Sequence, residues 1–218
     1  MPLPMVMLGA GGHAKVLLDL MQSLGHQVVA VCDPALASGG VTQWRGVNVI
    51  GDDQAVFGLK PDECRLINGL GSVPGQHLRF LLHDKFTQQG YRFATLVHPS
   101  AVIGGGVALG EGAQIMAGAV VQADASIGVG SIINTGALVD HDCRVGDHCH
   151  IAPGAVICGG VSLGQRVHVG TGAKIVQGIS VGERSVVGAG AVVLKDIPRR
   201  HKVLGAALRA AVEMEEDY

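Results

Sequence analysis

His141 and Asp142 form a histidine–carboxylate pair within the segment Val139–Cys143. A neutral imidazole with an ordinary pKa near 6.5 can take a proton from an attacking group at neutral pH. An adjacent carboxylate can orient the ring and raise its basicity. The pair is therefore a candidate for general-base chemistry, although a surface histidine is by default only a solvated residue.

A glycine-rich segment, Gly9–Ala14, lies between an apolar run and a helical pattern near the amino terminus. Residues 6–8 are predicted to form a strand, and apolar residues recur at helical spacing over 16–24. Such a loop presents backbone N–H groups to a phosphate at the start of a helix. Asp33 ends the next apolar run, where an acid can bind a ribose or a base edge. Alone, the loop suggests a dinucleotide such as NAD, or only a tight turn.

These segments belong to an α/β pattern over residues 1–95. Further strands are predicted over 28–32 and 65–70, and a helix from about Pro74 to Gln89. The alternation favours a small parallel α/β domain with a Rossmann-like order. This domain is too small for a full dinucleotide-binding fold, and no partner domain for hydride transfer follows it.

A six-residue repeat follows, in which every sixth residue is a branched aliphatic without any insertion. The residues are Val97, Ile103, Leu109, Ile115, Val121, Ile127, Ile133, Val139, Val145, Ile151, Ile157, Leu163, Val169, Ile175, Val181, Val187 and Val193. Residues 97–192 are 96 residues, which is 16 hexads. Glycine often follows the aliphatic residue, and Ala, Ser, Cys or Val usually stands four positions after it.

The period of six predicts a solenoid in which each hexad forms one short strand and a turn. Three hexads close a triangular coil, with the aliphatic residue and its small partner inside and glycines at the corners. The predicted fold class is an α/β domain followed by a left-handed parallel β-helix, an exception to right-handed crossovers. We predict three segments: the α/β domain over 1–95, the β-helix over 96–198, and a tail with a short helix over 199–218.

The composition fits a narrow prism. Glycine contributes 34 of 218 residues, aromatic residues only 3% and hydrophobic residues 48%. The glycines do not recur at every third position, which excludes collagen, and the apolar content excludes disorder. The net charge of −2 gives no electrostatic footprint for nucleic acid or a membrane surface. We find neither a signal peptide nor an 18-residue apolar run. The five cysteines show no paired spacing, which indicates reduced thiols, and we therefore expect a cytoplasmic protein.

The 18-residue coil places residues that are 18 apart directly above one another. His141 then lies between Ala123 and Gly159, which leaves open space beside its ring for a substrate. His150 and His168 are also 18 apart and are predicted to stack on one face.

Together these motifs resemble a known family. The hexad register resembles the acyltransferases that use acetyl-CoA or similar thioesters. The start Gly9–Val16 ahead of the prism is similar to their sialic-acid and nucleotide-sugar acetyltransferase branch. Asn134-Thr135 followed by Val139–Cys143 resembles the catalytic coil of N-acetyltransferases acting on nucleotide-linked 4-amino-4,6-dideoxy sugars. The resemblance implies acetyl-CoA as co-substrate, with GDP-perosamine as the favoured acceptor and a UDP-linked bacillosamine-type sugar next.

The resemblance also implies residue roles and no metal. His141 is the general base, and Asp142 its partner where the bacillosamine branch usually carries Glu. Direct attack on the thioester needs no acyl-enzyme, and backbone N–H groups near Gly159 or Gly160 are candidate oxyanion donors. The implied acetyl-CoA contacts are His150, Gly159, Thr171 and Ala189. The implied nucleotide-sugar contacts are Gly11, Gly12, His13, Asp33, Gly71, Ser72 and Asn134.

Other functions stay open at this point. The same base would serve an O-acetyltransferase acting on a sialic acid or a polysaccharide unit. A γ-type zinc carbonic anhydrase shares a similar prism, but its histidine pair five residues apart has no counterpart among the prism histidines. The resemblance further implies a homotrimer with sites shared between subunits.

Overall fold

The computed structural model describes residues 3–205. The amino-terminal part is a five-stranded sheet in the order β3-β4-β2-β1-β5, parallel except for β3. Its strands are β1 (Met5–Leu8), β2 (Val28–Cys32), β3 (Gln43–Trp44), β4 (Val47–Gly51) and β5 (Arg65–Asn68). Its helices are α1 (Gly12–Ser23), α2 (Pro34–Ser38), a 3-10 helix (Asp53–Gly58) and α3 (Leu78–Gln88).

Local sequence explains the elements that carry the glycine loop. The continuous apolar runs of β1 and β2 are almost wholly buried, as expected for parallel strands covered on both faces. Gly11 is the N-cap of α1, and Gly25, with φ of +68°, follows its carboxyl end. Asp33 caps α2 by accepting hydrogen bonds from the N–H groups of Ala35 and Leu36.

The rest of the described chain is a triangular prism with three parallel sheets. The first, which we call the covered face, contains β6 (Leu96–Val97), β9 (Gln114–Ile115), β12 (Ile132–Ile133), β15 (His150–Ile151), β18 (His168–Val169), β21 (Val186–Val187) and β23 (Lys202–Val203). The second, the apolar face, contains β7 (Val102–Ile103), β10 (Val120–Val121), β13 (Leu138–Val139), β16 (Val156–Ile157), β19 (Lys174–Ile175) and β22 (Val192–Val193). The third, the polar face, contains β8 (Ala108–Leu109), β11 (Ser126–Ile127), β14 (Arg144–Val145), β17 (Ser162–Leu163) and β20 (Ser180–Val181).

The aliphatic hexad residues and their small partners fill the prism, which confirms the predicted fold class. Ile133 and Val139 are fully buried, together with small residues such as Ala137 and Cys143. Neighbouring coils pair in parallel at a spacing of 18 residues, for example Val139 with Ile157. This narrow interior has room for aliphatic side chains and explains the scarcity of aromatic residues.

The covered face packs against the α/β domain. Met116 and Ile132 belong to one buried cluster with Met7 and Leu17. Helix α3 runs along the corner between the polar and covered faces. An ideal Cβ on Gly112 would lie 2.8 Å from Cε1 of His83, and one on Gly130 would lie 3.3 Å from Nδ1 of His83, so the two glycines permit the close approach of α3.

Some elements differ from those predicted. Helix α3 begins at Leu78 rather than near Pro74, and α2, β3 and β4 were not predicted, because short elements carry little periodicity. Strand β23 pairs with β21 inside the segment predicted as tail, since two apolar residues can extend the covered face. The predicted short helix lies outside the described residues. No helix within residues 3–205 is long and apolar enough to cross a membrane.

Candidate active site

His141 lies at the corner between the apolar and polar faces, with its ring exposed. Its Nδ1 is 2.7 Å from Oδ2 of Asp142, and its backbone N–H donates to Oδ1 of Asp140 at 2.8 Å. Asp142 has a φ of +59°, a left-handed turn that Asp tolerates. The hydrogen bond to Asp142, and next the charge of Asp140, raise the pKa of His141. Nε2 makes no hydrogen bond within residues 3–205 and is left for a substrate.

Gly159 provides the space above this ring. An ideal Cβ on Gly159 would lie 2.6 Å from both Nε2 and Cε1 of His141, which confirms the predicted stacking. The N–H of Gly160 donates to the backbone oxygen of His141 at 2.9 Å. Gly160 is therefore excluded as an oxyanion donor, and the N–H of Gly159 remains the candidate.

A second histidine is fixed at the junction of the two domains. His150 is only 8% exposed; its Nδ1 is 3.0 Å from the carbonyl oxygen of Ser72, and its Nε2 is 3.0 Å from Nδ2 of Asn134. A carbonyl only accepts and an amide nitrogen only donates, so His150 is the neutral tautomer with its proton on Nδ1. Burial lowers its pKa to about 3, which agrees with this state. Hydrogen bonds thus connect three residues that were predicted separately, namely Ser72, His150 and Asn134.

His168 stacks edge-on above His150 with ring centroids 5.0 Å apart, as the spacing predicts. It lines a cavity of about 510 Å³ on the covered face and the corner toward the apolar face. Thr171 and Ala189 line the same cavity. The structure therefore brings together two of the predicted acetyl-CoA contacts. Lys202 and Leu204, which no motif indicated, complete this cavity, which we call the groove.

The glycine loop faces the prism. Gly11 and Gly12 are exposed, and the ideal Cβ of each meets nothing within 4 Å. His13 turns inward, with Nε2 2.8 Å from Oε1 of Gln114. Burial first, and Arg79 second, lower the pKa of His13 to about 4. His13 is therefore neutral in this structure. Gly71 lies beside it, because an ideal Cβ on Gly71 would be 3.7 Å from the Cβ of His13.

Asp33 is already bonded to the protein. Besides capping α2 through Oδ1, it accepts a hydrogen bond from the N–H of Ala10 on Oδ2 at 2.9 Å. The carboxylate thus fixes the glycine loop to the end of β2. Any contact with a ribose or base would use its remaining lone pairs.

A cavity of about 320 Å³ opens beside Asp33, at the carboxyl ends of the parallel strands. Leucines line most of it, and Asp53 and Lys85 add charge; the leucines are Leu70, Leu78, Leu81 and Leu82. Burial raises the pKa of Asp53, and its carboxylate accepts no hydrogen bond within the described residues. The sequence indicated this edge only through Asp33, because α3 and the 3-10 helix supply the other walls.

Within one chain, the residues predicted to catalyse the reaction and those predicted to bind acetyl-CoA are not all close together. His141 lies at one edge of the apolar face, whereas Thr171 and Ala189 lie at the opposite edge, between β18 or β21 and the apolar strands. Within residues 3–205, no group of three His, Cys, Asp or Glu residues is arranged to hold a metal ion.

Comparison with known proteins places this architecture in a family. Residues 4–74 match the PglD N-terminal domain, and residues 142–177 and 160–195 match the hexapeptide repeat of succinyl-transferase. PerB from Caulobacter crescentus, solved with CoA and GDP-perosamine, is 39% identical, with 93% of this chain and 94% of that chain covered and a TM-score of 0.84. The chain belongs to the hexapeptide-repeat sugar N-acetyltransferases with a PglD-type amino-terminal domain. It is an acyltransferase of this family.

Two further solved structures support the assignment. The H141N mutant of perosamine N-acetyltransferase from Caulobacter crescentus, with CoA and GDP-perosamine, is 38% identical over 93% of both chains, with a TM-score of 0.83. The acetyltransferase domain of PglB from Neisseria gonorrhoeae is 32% identical over 94% of this chain and 97% of that chain, with a TM-score of 0.86. None of the curated proteins matches the chain significantly.

Proposed function

We propose that this N-acetyltransferase transfers the acetyl group of acetyl-CoA to the 4-amino group of a nucleotide-linked 4-amino-4,6-dideoxy sugar, with GDP-perosamine favoured over a UDP-linked bacillosamine-type sugar. The observation that carries the proposal is His141, with Nδ1 bonded to Asp142 and Nε2 open beneath Gly159. Relatives solved with CoA and GDP-perosamine over nearly the full chain support the acceptor.

The reaction follows from this arrangement. The sugar amine is largely protonated at neutral pH and attacks only as the free amine, which forms when the ammonium group gives one proton to solvent. In the transfer step Nε2 of His141 takes a proton from the amine nitrogen as the nitrogen bonds to the thioester carbonyl carbon. The Asp142 carboxylate stabilises the imidazolium that results. The carbon–sulfur bond then breaks, and the imidazolium returns the proton to the leaving CoA thiolate. The N–H of Gly159 is positioned as a candidate donor to the oxyanion.

Acetyl-CoA is assigned to the groove at the corner that carries Thr171 and Ala189. The groove holds about 510 Å³ and offers a long, partly apolar wall suited to a pantetheine chain. His150 and Asn134 lie lower on the same covered face and corner, and we assign them to positioning the reacting ends. Because His150 is neutral and nearly buried, it orients Asn134 rather than moving a proton.

The nucleotide is assigned to the cavity at the carboxyl ends of β1, β2 and β5, the usual ligand site of such sheets. Gly11 and Gly12 would present N–H groups to the pyrophosphate. Leucine walls suit a flat base. Guanine carries adjacent N1–H and N2–H donors for the Asp53 carboxylate, whereas uracil offers one N–H between two carbonyl oxygens that would repel it. Asp53 therefore favours a guanine nucleotide.

A homotrimer would complete the site. The outward residues of the apolar face are Val102, Val120, Leu138, Val156, Lys174 and Val192, and Val102 and Val192 are 56% and 58% exposed. If three apolar faces meet around a threefold axis, the His141 edge of each copy lies next to the groove edge of its neighbour. Burial of this apolar face drives the association.

A thiol-release assay tests the proposal. We expect CoA release from acetyl-CoA with GDP-perosamine, slower release with UDP- or dTDP-linked 4-amino sugars, and none with sialic acid. Asp53→Asn should narrow the preference for the GDP-linked sugar, and Asp62→Asn, at an exposed site outside the cavity, should not. Acetylation of a sialic-acid hydroxyl instead of an amine would favour the O-acetyltransferase alternative.

The cellular setting is proposed from the thiols. Cys32, Cys64, Cys143 and Cys149 are free and buried, and Cys158 is free and half-buried. Free thiols of this kind are typical of a reducing compartment, so we assign the protein to the cytoplasm.

A further inference from the structure

A separate basic cavity lies behind the loop of residues 72–77. It holds about 90 Å³ between this loop and the corner that joins the polar and covered faces. Arg79, Arg166 and Arg184 line it, together with His77 and His148. Its lining, drawn from residues 3–205, contains neither Asp nor Glu.

Two of the arginines project from the same corner in consecutive coils. Arg166 and Arg184 both occupy left-handed turns, with φ of +59° and +57°. Arg166 is held in place: Nη2 donates to Nδ1 of His77 at 3.1 Å, and Cζ lies 4.4 Å from the centroid of the Phe80 ring. The side chain of Arg184 is exposed and makes no hydrogen bond or ion pair with any residue that the structure describes.

Nearby carboxylates balance the positive charge at this cavity only in part. Burial first, and the neighbouring Arg184 second, lower the pKa of Arg166. Arg79 is 8% exposed, and its guanidinium donates only to neutral oxygens, those of Asn68, Leu70, Gly130 and Gln114. Glu183, next to Arg184 in the chain, forms no ion pair with either arginine in the described structure. The charge of Glu183 also acts on Arg166, but no carboxylate lines the cavity itself, so the guanidinium groups there can accept an external anion.

The amino-terminal end of helix α3 adds to the positive electrostatic potential at this cavity. It begins at Leu78, and its N-cap His77, which lines the cavity, makes no side-chain capping bond. The first turn therefore leaves backbone N–H groups without side-chain acceptors, and the helix dipole is positive at this end.

We propose that this cavity binds a phosphate group and thereby anchors the loop of residues 72–77. Planar guanidinium groups that converge on a small cavity match the geometry of a phosphate. The loop holds His150 through the carbonyl of Ser72, so the bound anion stabilises the junction next to the reacting groups. The phosphate has two possible sources, inorganic phosphate or CoA, because Pro74, His168 and Val186 line both this cavity and the groove.

Arg184→Gln tests the site, since Arg184 is exposed and its replacement leaves α3 packed. Arg144→Gln, at an exposed arginine on the polar face, is the matched control. The first measurement is the thermal midpoint in phosphate against chloride at equal ionic strength. The second is calorimetric binding of CoA against 3′-dephospho-CoA, which requires no acceptor sugar and so stays independent of the proposed reaction.

Inorganic phosphate is the source if it raises the midpoint of the wild type and the control but not of Arg184→Gln. CoA is the source if the wild type and control bind CoA about tenfold more tightly than 3′-dephospho-CoA and Arg184→Gln loses this preference. Either result supports the site. The proposal is wrong if phosphate leaves the wild-type midpoint unchanged and Arg184→Gln keeps the wild-type ratio of the two affinities.

Discussion

At the scale of single residues, the position of the His141 ring depends on the absence of a side chain at Gly159. The ring can stand at the corner with Nε2 open only because position 159 has no side chain, and Asp142 fixes which nitrogen is open. Other histidines are set apart by burial, since His13 and His150 are neutral groups bonded to Gln114 and Asn134. The same residue type thus provides the proposed base at an exposed corner and a structural link inside the junction.

Replacement of His141 by Asn should abolish most of the activity. We expect His141→Asn to keep the fold and lower kcat by at least about 10²-fold, because general-base catalysis contributes about that much. Steady-state thiol release measures the loss, and circular dichroism checks the fold. His26→Asn, at an exposed histidine of the α/β domain, should retain full turnover. A kcat for His141→Asn near that of the wild type would contradict the assignment.

The pH profile should report the contact with Asp142. This contact raises the pKa of His141, so kcat/KM should rise with pH through an apparent pKa above 6.5. Asp142→Asn removes the charge, and the acid limb should move to lower pH with a lower plateau. Measurement of kcat/KM from pH 5 to 9 decides this. An unmoved limb would show that Asp142 does not act on the base.

At the scale of elements, helix α3 links the two domains. Its Arg79 and His83 are 8% and 3% exposed, and His83 stacks on Phe93 with ring centroids 4.0 Å apart. Arg79 donates to oxygens on both sides of the junction, and burial lowers its pKa to about 9. The Nδ1 atoms of His83 and His148 are buried without hydrogen bonds in the described structure. The contact between α3 and the prism, which we call the seam, therefore favours neutral histidines at positions 83 and 148.

Stability should fall in acid because of this seam. Burial lowers the pKa of His83 to about 4, whereas the unfolded chain titrates near 6.5. The unfolded state therefore binds more protons between pH 6.5 and 4. The contribution of the neutral His83 to the free energy of unfolding is fully present above pH 6.5. It decreases toward pH 4 by about 1.4 kcal/mol per pH unit for each such histidine.

Denaturant unfolding between pH 8 and pH 4.5 measures this slope. His83→Leu removes one titrating group and should give a shallower fall below pH 6.5. His26→Leu, at an exposed histidine of the α/β domain, should keep the wild-type slope. Equal slopes for the wild type and His83→Leu would show that His83 does not titrate as its burial requires.

At the scale of the whole molecule, the two halves of the proposed site flank the apolar face. His141 lies at one edge, and Thr171 and Ala189 lie at the other. A threefold arrangement brings opposite edges of neighbouring copies together, whereas an isolated chain keeps them apart. The exposed valines of this face are the reason we expect copies to associate through it.

Mixing two inactive variants tests this shared site. His141→Asn lacks the base, and Thr171→Trp blocks the groove, so each homotrimer should be inactive. Mixed trimers should regain activity, because some interfaces pair an intact His141 with an intact groove. Val156→Glu on the apolar face should give monomers without activity, whereas Ser162→Glu on the polar face should stay trimeric. Mass in solution and thiol release provide the measurements, and absence of complementation in verified mixed trimers would contradict a shared site.

The sequence alone determined the prism and its register. Because the inward residues recur every six positions, the stacking of His141 under Gly159 and of His150 under His168 follows from counting. Family resemblance narrowed the chemistry further. In the α/β domain the predicted start of α3 was wrong by four residues. The elements α2, β3 and β4 were not predicted, since elements of two to five residues carry no clear period.

Only the tertiary structure decided how the residues of different elements meet. In the structure His13 is hydrogen-bonded to Gln114, and Asp33 accepts a hydrogen bond from the glycine loop. The N–H of Gly160 donates to the backbone oxygen of His141 and so is not free to bind an oxyanion. The tertiary structure also formed the leucine cavity with Asp53 and the arginine cavity behind residues 72–77. A repeat fixes neighbours within the prism because each coil copies the last. Contacts across the junction depend on the docking of a separate domain, which no periodicity in the chain records.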